Sequence, residues 1–213
     1  MKPKILIELQ YLPPVSTFCY LLAASAVYFE ACEHYQKGSY RNRCEIAGPN
    51  GRMRLSIPLL KGKHEGQPIR EVQLAYFENW PKQHWQSIKT AYGSSPFFIH
   101  YSDAFRDILL ARQDTLWALN LAMMKQILAF LGWSQELPIF ESDVYMLGGA
   151  ADVVDCRELI SPQSSPLNLQ PYVQVFTDKH GFLPNLSILD LLFCAGPAAT
   201  DYLWAHAPQI PQV

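Results

Sequence analysis

The chain lacks the usual cradles for a nucleotide's phosphates. No G-x-x-x-x-G-K-[ST] run occurs, and the turn after the first apolar stretch has no glycine where a dinucleotide fingerprint needs it. No C-x-x-C pair is present. The five cysteines, Cys19, Cys32, Cys44, Cys156 and Cys194, are odd in number and scattered, so neither a disulfide framework nor a zinc site is expected. Free thiols fit a reducing, cytoplasmic compartment. A basic excess is missing too: 17 Lys and Arg stand against 19 Asp and Glu, a net charge of -2. A duplex nucleic-acid binder would carry a strong positive balance, so no duplex partner is expected. Long apolar runs are absent. Residues 5 to 9 form a short one with Glu8 inside it, too short for a signal peptide and far below the roughly 18 residues of a membrane span.

What is present is a globular composition. Of 213 residues, 49% are hydrophobic and 17% charged, against about a quarter charged in an average chain. That length can bury a sizeable core without disulfide or metal staples. We expect one α/β domain over residues 1–213. Residues 5 to 9 read as a buried strand, stopped by Pro13 and Pro14, which suit the first turn of a helix. Val15, Phe18, Cys19, Leu22, Ala23 and Ala26 then recur at helical spacing, and residues 27 to 32 read as a second strand. Strand, helix and strand at this spacing predict a βαβ unit with parallel strands. Residues 43 to 47 and 52 to 58 flank G-P-N-G as an antiparallel hairpin with one wet face. Residues 69 to 74 read as a third antiparallel strand, all of these added to the same sheet. The second half turns helical. Trp85, Ile88 and Tyr92 share one helical face, Leu116 to Phe130 follow the longest helical period, and residues 188 to 195 make a short helix before Gly196-Pro197. Residues 139 to 144 read as one more strand, and residues 148 to 185, rich in Gly, Pro, Ser, Asn and Gln, read as mostly irregular.

The most unusual stretch is A-C-E-H-Y-Q-K-G-S-Y-R-N-R-C, residues 31 to 44. It is too polar for a core strand and too aromatic for a plain solvent loop. Lys37, Arg41 and Arg43 are the best candidates for an anion site, because guanidinium offers a planar fork and ammonium a point charge. The competing reading is an internal ion network closed by Glu33 or Glu45. Gln10 and Tyr11 follow the first strand, where ligands of open α/β sheets gather; the competing reading is that they cap the strand's end. His84 and Trp85 open a helix with Tyr92 further along, and His84 is a candidate general base. Lys61, Lys63 and His64 sit on a glycine-flanked loop, a solvated tip or a lid. Ser187 and Asp190 form a capping-box-like pattern. Cys32 beside His34 lacks any orienting third group for nucleophilic catalysis.

At these residues the chain resembles the WbqC-like family. The pieces that carry the resemblance are I-L-I-E-L-Q-Y-L-P-P-V-S-T-F, Y-F-E-A-C-E-H-Y-Q-K-G-S-Y-R-N-R-C-E-I-A-G-P-N-G with L-S-I-P-L, H-W-Q-S-I-K-T-A-Y-G-S-S-P-F-F-I-H-Y-S-D, D-C-R-E-L-I-S-P-Q, P-Y-V-Q-V-F and F-L-P-N-L-S-I-L-D-L-L-F-C-A-G-P. The most specific are K-x-x-x-R-N-R, which is Lys37, Arg41, Asn42 and Arg43, and S-I-L-D-L-L-F at 187 to 193. The resemblance implies a bacterial lipopolysaccharide or other surface-polysaccharide biosynthesis protein of the O-antigen type. For some members, transfer of an acyl or aminoacyl group onto an amino sugar is proposed. Two departures stand out. Many relatives carry an acidic pair where this chain has Glu30-Ala31-Cys32-Glu33, and a lysine where it has Gln163.

The expectation is thus a transferase whose anion-binding pocket takes a phosphorylated small molecule or nucleotide sugar. Lys37, Arg41 and Arg43 would hold phosphate, and Tyr11, Tyr35 or Trp85 would stack on base or sugar, with Gln10 and Tyr92 nearby. His84 or His34 would be the base and Asn42 an oxyanion donor. The alternative is a non-catalytic sugar-nucleotide-binding or assembly protein of the same pathway. Single-stranded nucleic acid is a third and weaker idea, opposed by the charge balance. The sequence identifies neither a cofactor nor an oligomeric state.

Overall fold

A computed structural model describes residues 2–60, 66–133, 135–146, 152–164 and 166–210. The first strand, β1 (Lys4–Ile7), pairs in parallel with β2 (Ala26–Phe29), Lys4 opposite Ala26 and Ile7 opposite Phe29. Between them runs α1 (Val15–Ala23). Two further short strands, β5 (Ile139–Glu141) and β6 (Val153–Asp155), pair in parallel with β2 and β1, giving the order β5-β2-β1-β6. A parallel sheet must be covered on both faces. Ile5, Ile7, Val27 and Phe29 are accordingly all buried, and so is every residue of α1. The helix is buried all round because the sheet covers one side and α6 (Ile188–Ala195) and α7 (Ala198–Ala205) cover the other.

The α/β class, the βαβ start and the helical second half are as expected. The hairpin β3 (Arg43–Gly48) and β4 (Gly51–Ser56) forms with Gly48 opposite Gly51, but as a sheet of its own. Both flanks of the β1–β2 pair are already taken by β6 and β5. The hairpin instead turns Cys44 and Ile46 onto α2 (Trp80–Tyr92) and α6, leaving Arg52 and Arg54 outside. Residues 69 to 74 are not a full strand. Ile69–Glu71 is a 3₁₀ turn, followed by an isolated bridge from Leu74 to Leu59. Ile69 and Val72 are both buried; an extended strand would point them to opposite faces, whereas a three-residue turn puts them on one. The irregular tract contains β6, whose two valines are too few to announce a strand.

The helical layer joins α2, α3 (Phe98–Leu110), α4 (Leu116–Phe130) and α6 through rings. Phe105 meets Phe130 and Phe193 edge-on, and Phe98 lies between Trp85 and Phe193. A short helix, α5 (Thr177–His180), precedes α6. The chain leaves α6 at Gly196, whose φ is 54° and where an added Cβ would stand 2.4 Å from the Phe97 ring. Left-handed backbone and close approach together require glycine there. Gly196→Ala should therefore cost about 1–3 kcal/mol, read as a drop in Tm of about 2–4 °C per kcal/mol for a chain of this size. A thermal melt with no drop would show that the ring yields.

Candidate functional site

All four parallel strands end on one edge of the sheet, and acids cluster there. Glu8 follows β1, Glu30 follows β2, Glu141 closes β5 and Asp155 closes β6. From β1 the sheet grows one way to β2 and β5 and the other way to β6. Such a reversal opens a crevice at the carboxyl ends of the strands. Three cavities lie along it. One of about 390 Å³ is walled by Glu33, His34, Tyr145, Asp155 and Arg157. The next, about 230 Å³, is walled by Glu8, Lys37, Arg41 and Ser39, and shares Gln36 and Glu158 with the first. The third, about 340 Å³, holds Tyr40, Glu45 and Arg52, and shares Ser161 and Gln163 with the second. They make one polar cleft.

Burying carboxylates is costly unless donors meet them. Glu30, fully buried, accepts four hydrogen bonds: from Cys32 N (3.0 Å), Ser142 Oγ (2.5 Å), Met146 N (2.9 Å) and Arg157 Nη1 (3.2 Å). Glu33 receives Arg41 as a two-point fork, Nε to Oε1 at 2.7 Å and Nη2 to Oε2 at 2.5 Å. This pair is 4% and 1% exposed. Burial works against the guanidinium charge, but the two bonds outweigh it and hold Arg41 above its ordinary value. Glu8 accepts from Gln10 Nε2 (2.6 Å) and from Glu158 N (3.0 Å), and burial pushes its carboxyl up. Arg157 also grips Asp155 (2.6 Å), and its guanidinium lies 4.8 Å from the centre of the half-exposed Tyr145 ring.

The candidate residues fall into two groups. His34 and Lys37 are exposed on the cleft walls, where buried Tyr35 and Arg41 join them. Gln10, fully buried, stands behind Glu8, and its Oε1 accepts from Thr17. Arg43 is half-buried beside Gly38, with no hydrogen bond to its buried Nε among the described residues. Arg41 precedes β3 and turns inward to Glu33, so the two arginines do not share a strand face; the internal ion pair is the arrangement present. Asn42 spends its Nδ2 on the Ile57 carbonyl (3.0 Å).

The second group sits in the core under α2. Tyr11, fully buried, has its hydroxyl 3.0 Å from His84 Nδ1. His84 is 5% exposed, and burial lowers its pKa to about 4. Trp85 is half-buried and stacked on Phe98, and fully buried Tyr92 accepts from Ala47 N at 2.9 Å. None of these four lines the cleft. Ser187 Oγ does cap α6, accepting from Leu189 N, but Asp190 does not close a capping box. It turns into the core and accepts from Tyr172 (2.6 Å) and Gln174 (2.8 Å). Cys32 is half-buried against the Ser142 carbonyl. Lys61, Lys63 and His64 lie outside the described residues.

Sequence reading passed over Glu8, Asp155, Arg157, Glu158 and Tyr145 as site residues. A signal existed for some of them. Glu8 is the charge inside a buried strand, and D-C-R-E-L-I-S-P-Q supplies much of the cleft wall from Asp155 to Gln163. Among the described residues, no group of three or more His, Cys, Asp or Glu is placed to hold a metal ion. Nor is any helix among them long and apolar enough to cross a membrane.

The model of the WbqC-like protein family matches residues 10–154. An uncharacterized protein of Mycobacterium tuberculosis is 28% identical over 228 aligned positions, covering 95% of this chain and 98% of that one. No solved structure matches.

Two outcomes follow from the geometry. Arg41→Ala leaves Glu33 charged and buried without its partner, which should cost about 3–5 kcal/mol in a denaturant melt; a loss under about 1 kcal/mol would mean that the pair is solvated. His84 carries a folded-state pKa of about 4 against an ordinary 6.5. A depressed histidine binds fewer protons folded than unfolded, so its contribution is present above 6.5 and lost as the pH falls towards about 4. Glu8 and Asp190 are raised by burial and have the opposite sign, losing their contribution as pH rises through their folded values. Comparing melts of wild type and His84→Gln across this window isolates the histidine. The acid-side loss should shrink in the variant, and an unchanged difference would show that His84 titrates normally.

Proposed function

We propose, because the chain belongs to the WbqC-like protein family, that it serves bacterial surface-polysaccharide biosynthesis by transferring an acyl or aminoacyl group to a nucleotide-linked amino sugar. One observation carries the reading: the cleft at the strands' carboxyl ends is polar in its first two cavities and has groups suited to each part of such a substrate. Lys37, exposed and without an ion pair among the described residues, suits the phosphates. Half-exposed Tyr145, braced on Arg157, offers a flat face to a sugar or base. His34 on the first cavity's wall serves as the base that takes the amine's proton as nitrogen attacks the donor's acyl carbon; the bond from that carbon to the donor's leaving group breaks as the amide forms, and the leaving group departs with the proton His34 returns. His84, in the core beside Tyr11, has no such access.

A second reading, binding without turnover, is favoured by the internal pairing of Arg41 and Arg157, which leaves few uncommitted charges to stabilise a transition state. Incubating the pure protein with nucleotide-linked amino sugars and acyl or aminoacyl donors, with mass spectrometry of the products, separates the two. An amide product is expected. His34→Ala should then lower turnover about 10²–10⁴-fold with little change in affinity. Lys37→Ala should raise KM for nucleotide-linked sugars and not for free ones. Ligand binding with no product from any donor would favour the second reading.

A further inference from the structure

The middle cavity of the cleft has a floor unlike its rim. Lys37, Gln36, Ser39 and Gln163 line it from its accessible side, whereas Glu8 and Arg41 line it while being 2% and 1% exposed. A carboxylate and a guanidinium this deep are held by the fold, not by solvent. Glu8 is fixed on both oxygens, by Gln10 Nε2 at 2.6 Å and by the Glu158 amide at 3.0 Å. A carboxylate has about four acceptor sites, so each oxygen keeps one free. Arg41 gives Nε and Nη2 to Glu33. Its Nη1 makes no hydrogen bond among the described residues. Glu158, which supplies the amide, holds a left-handed φ of 63° although it is not glycine. Such backbone persists only where its surroundings demand it, and it clusters at functional sites.

The charges around this cavity do not cancel. Glu8, Glu158 and the Glu33 that grips Arg41 are three acids; Lys37 and Arg41 are two cations. One negative charge is left over, and the least solvated acid that lines the cavity is Glu8. Burial already works against its charged form, and a guest bearing a positive or hydrogen-donating group beside it would relieve that cost. An oxygen next to that group would meet the free edge of Arg41.

We propose that Glu8 and Arg41 are the subsite that reads the amine of the acceptor, recognising a sugar with an amino group next to an oxygen: the nitrogen donates to Glu8, and Arg41 donates to the neighbouring oxygen. The assignment rests on the amino-sugar reading above and adds which residues select it. It distinguishes the amine, whose protonated form carries a positive charge to the buried carboxylate, from the uncharged hydroxyl and the uncharged amide at the same position.

Calorimetric titration with UDP-glucosamine, UDP-glucose and UDP-N-acetylglucosamine tests this without any turnover. All three ligands can donate a hydrogen bond to Glu8, but only the amine brings a positive charge; a close charge pair is worth about 1.5 kcal/mol or more, so wild type should prefer the amine roughly tenfold or more over both uncharged competitors. Glu8→Gln should erase that preference, its Kd for UDP-glucosamine coming within about threefold of its own Kd for UDP-glucose, a band well inside tenfold. Should Glu8→Gln not fold, Glu8→Asp draws the carboxylate back by one methylene and should cut the preference below about threefold on the same scale. A wild type without preference, or a folded Glu8 variant that keeps it in full, overturns the proposal. Absence of an amide product in the transferase assay would count against transfer alone, since the amine preference and its dependence on Glu8 are read from binding.

Discussion

Two carboxylates buried at one edge of a short sheet, Glu8 and Glu30, set the terms for everything around them. Each must be met by donors or give up its charge, and the strands are too short to supply those donors themselves. They come from far along the chain. Glu8 takes an amide 150 residues away, and Glu30 takes groups 112, 116 and 127 residues away. The carboxylates therefore act as clamps between the amino-terminal βαβ unit and the segments around β5 and β6, and those segments have little else to place them. The two strands are three residues each, so ladder hydrogen bonds alone would hold them poorly. The polar network that lines the cleft also completes the sheet.

This explains which parts of the fold could be read ahead. Period and pattern are local, and they located β1, α1, β2, the hairpin, α4 and α6. β6 could not be read because its place is decided by Arg157 and Glu158 reaching across to Glu30 and Glu8, and no window of sequence contains both ends. The 3₁₀ turn at Ile69–Glu71 was missed for the opposite reason: its apolar residues fit two local patterns, and packing chose between them. The hairpin was placed beside the parallel sheet on grounds of adjacency, whereas the flanks were already occupied. At the site, residue type marked His34, Lys37 and Arg41 for the cleft, but the same reasoning chose His84, Trp85 and Tyr92. Those three follow a helical face, and a helical face is first of all a packing surface.

The partnering of the cations changes what the cleft can recognise. Arg41 and Arg157 look, as residues, like phosphate ligands. Each is bound to acids of the fold, and their work is to make buried carboxylates tolerable. That leaves Lys37 at the rim and half-buried Arg43 near Gly38 as the nearby cations without an ion pair among the described residues. The interior is therefore richer in acceptors than in free cations. A ligand with phosphate at one end and amine and hydroxyl groups at the other would match that gradient better than a plain polyanion would. Glu30 and Glu33 reach their donors with one more methylene than aspartates have, and Glu30 uses that reach to collect four of them.

Glu158 shows how the demands of fold and site meet in one residue. A left-handed backbone costs a non-glycine residue about 1–3 kcal/mol, and nothing about its exposed side chain requires it. What the conformation achieves is the aim of its amide at Glu8. Glycine at that position would relax the backbone but would also free it to leave. The strained residue keeps the amide on a carboxylate that is otherwise short of donors, and it leaves the remaining acceptor sites of Glu8 to whatever enters the cavity. At Glu158, backbone stability is given up to keep a donor on a buried acid.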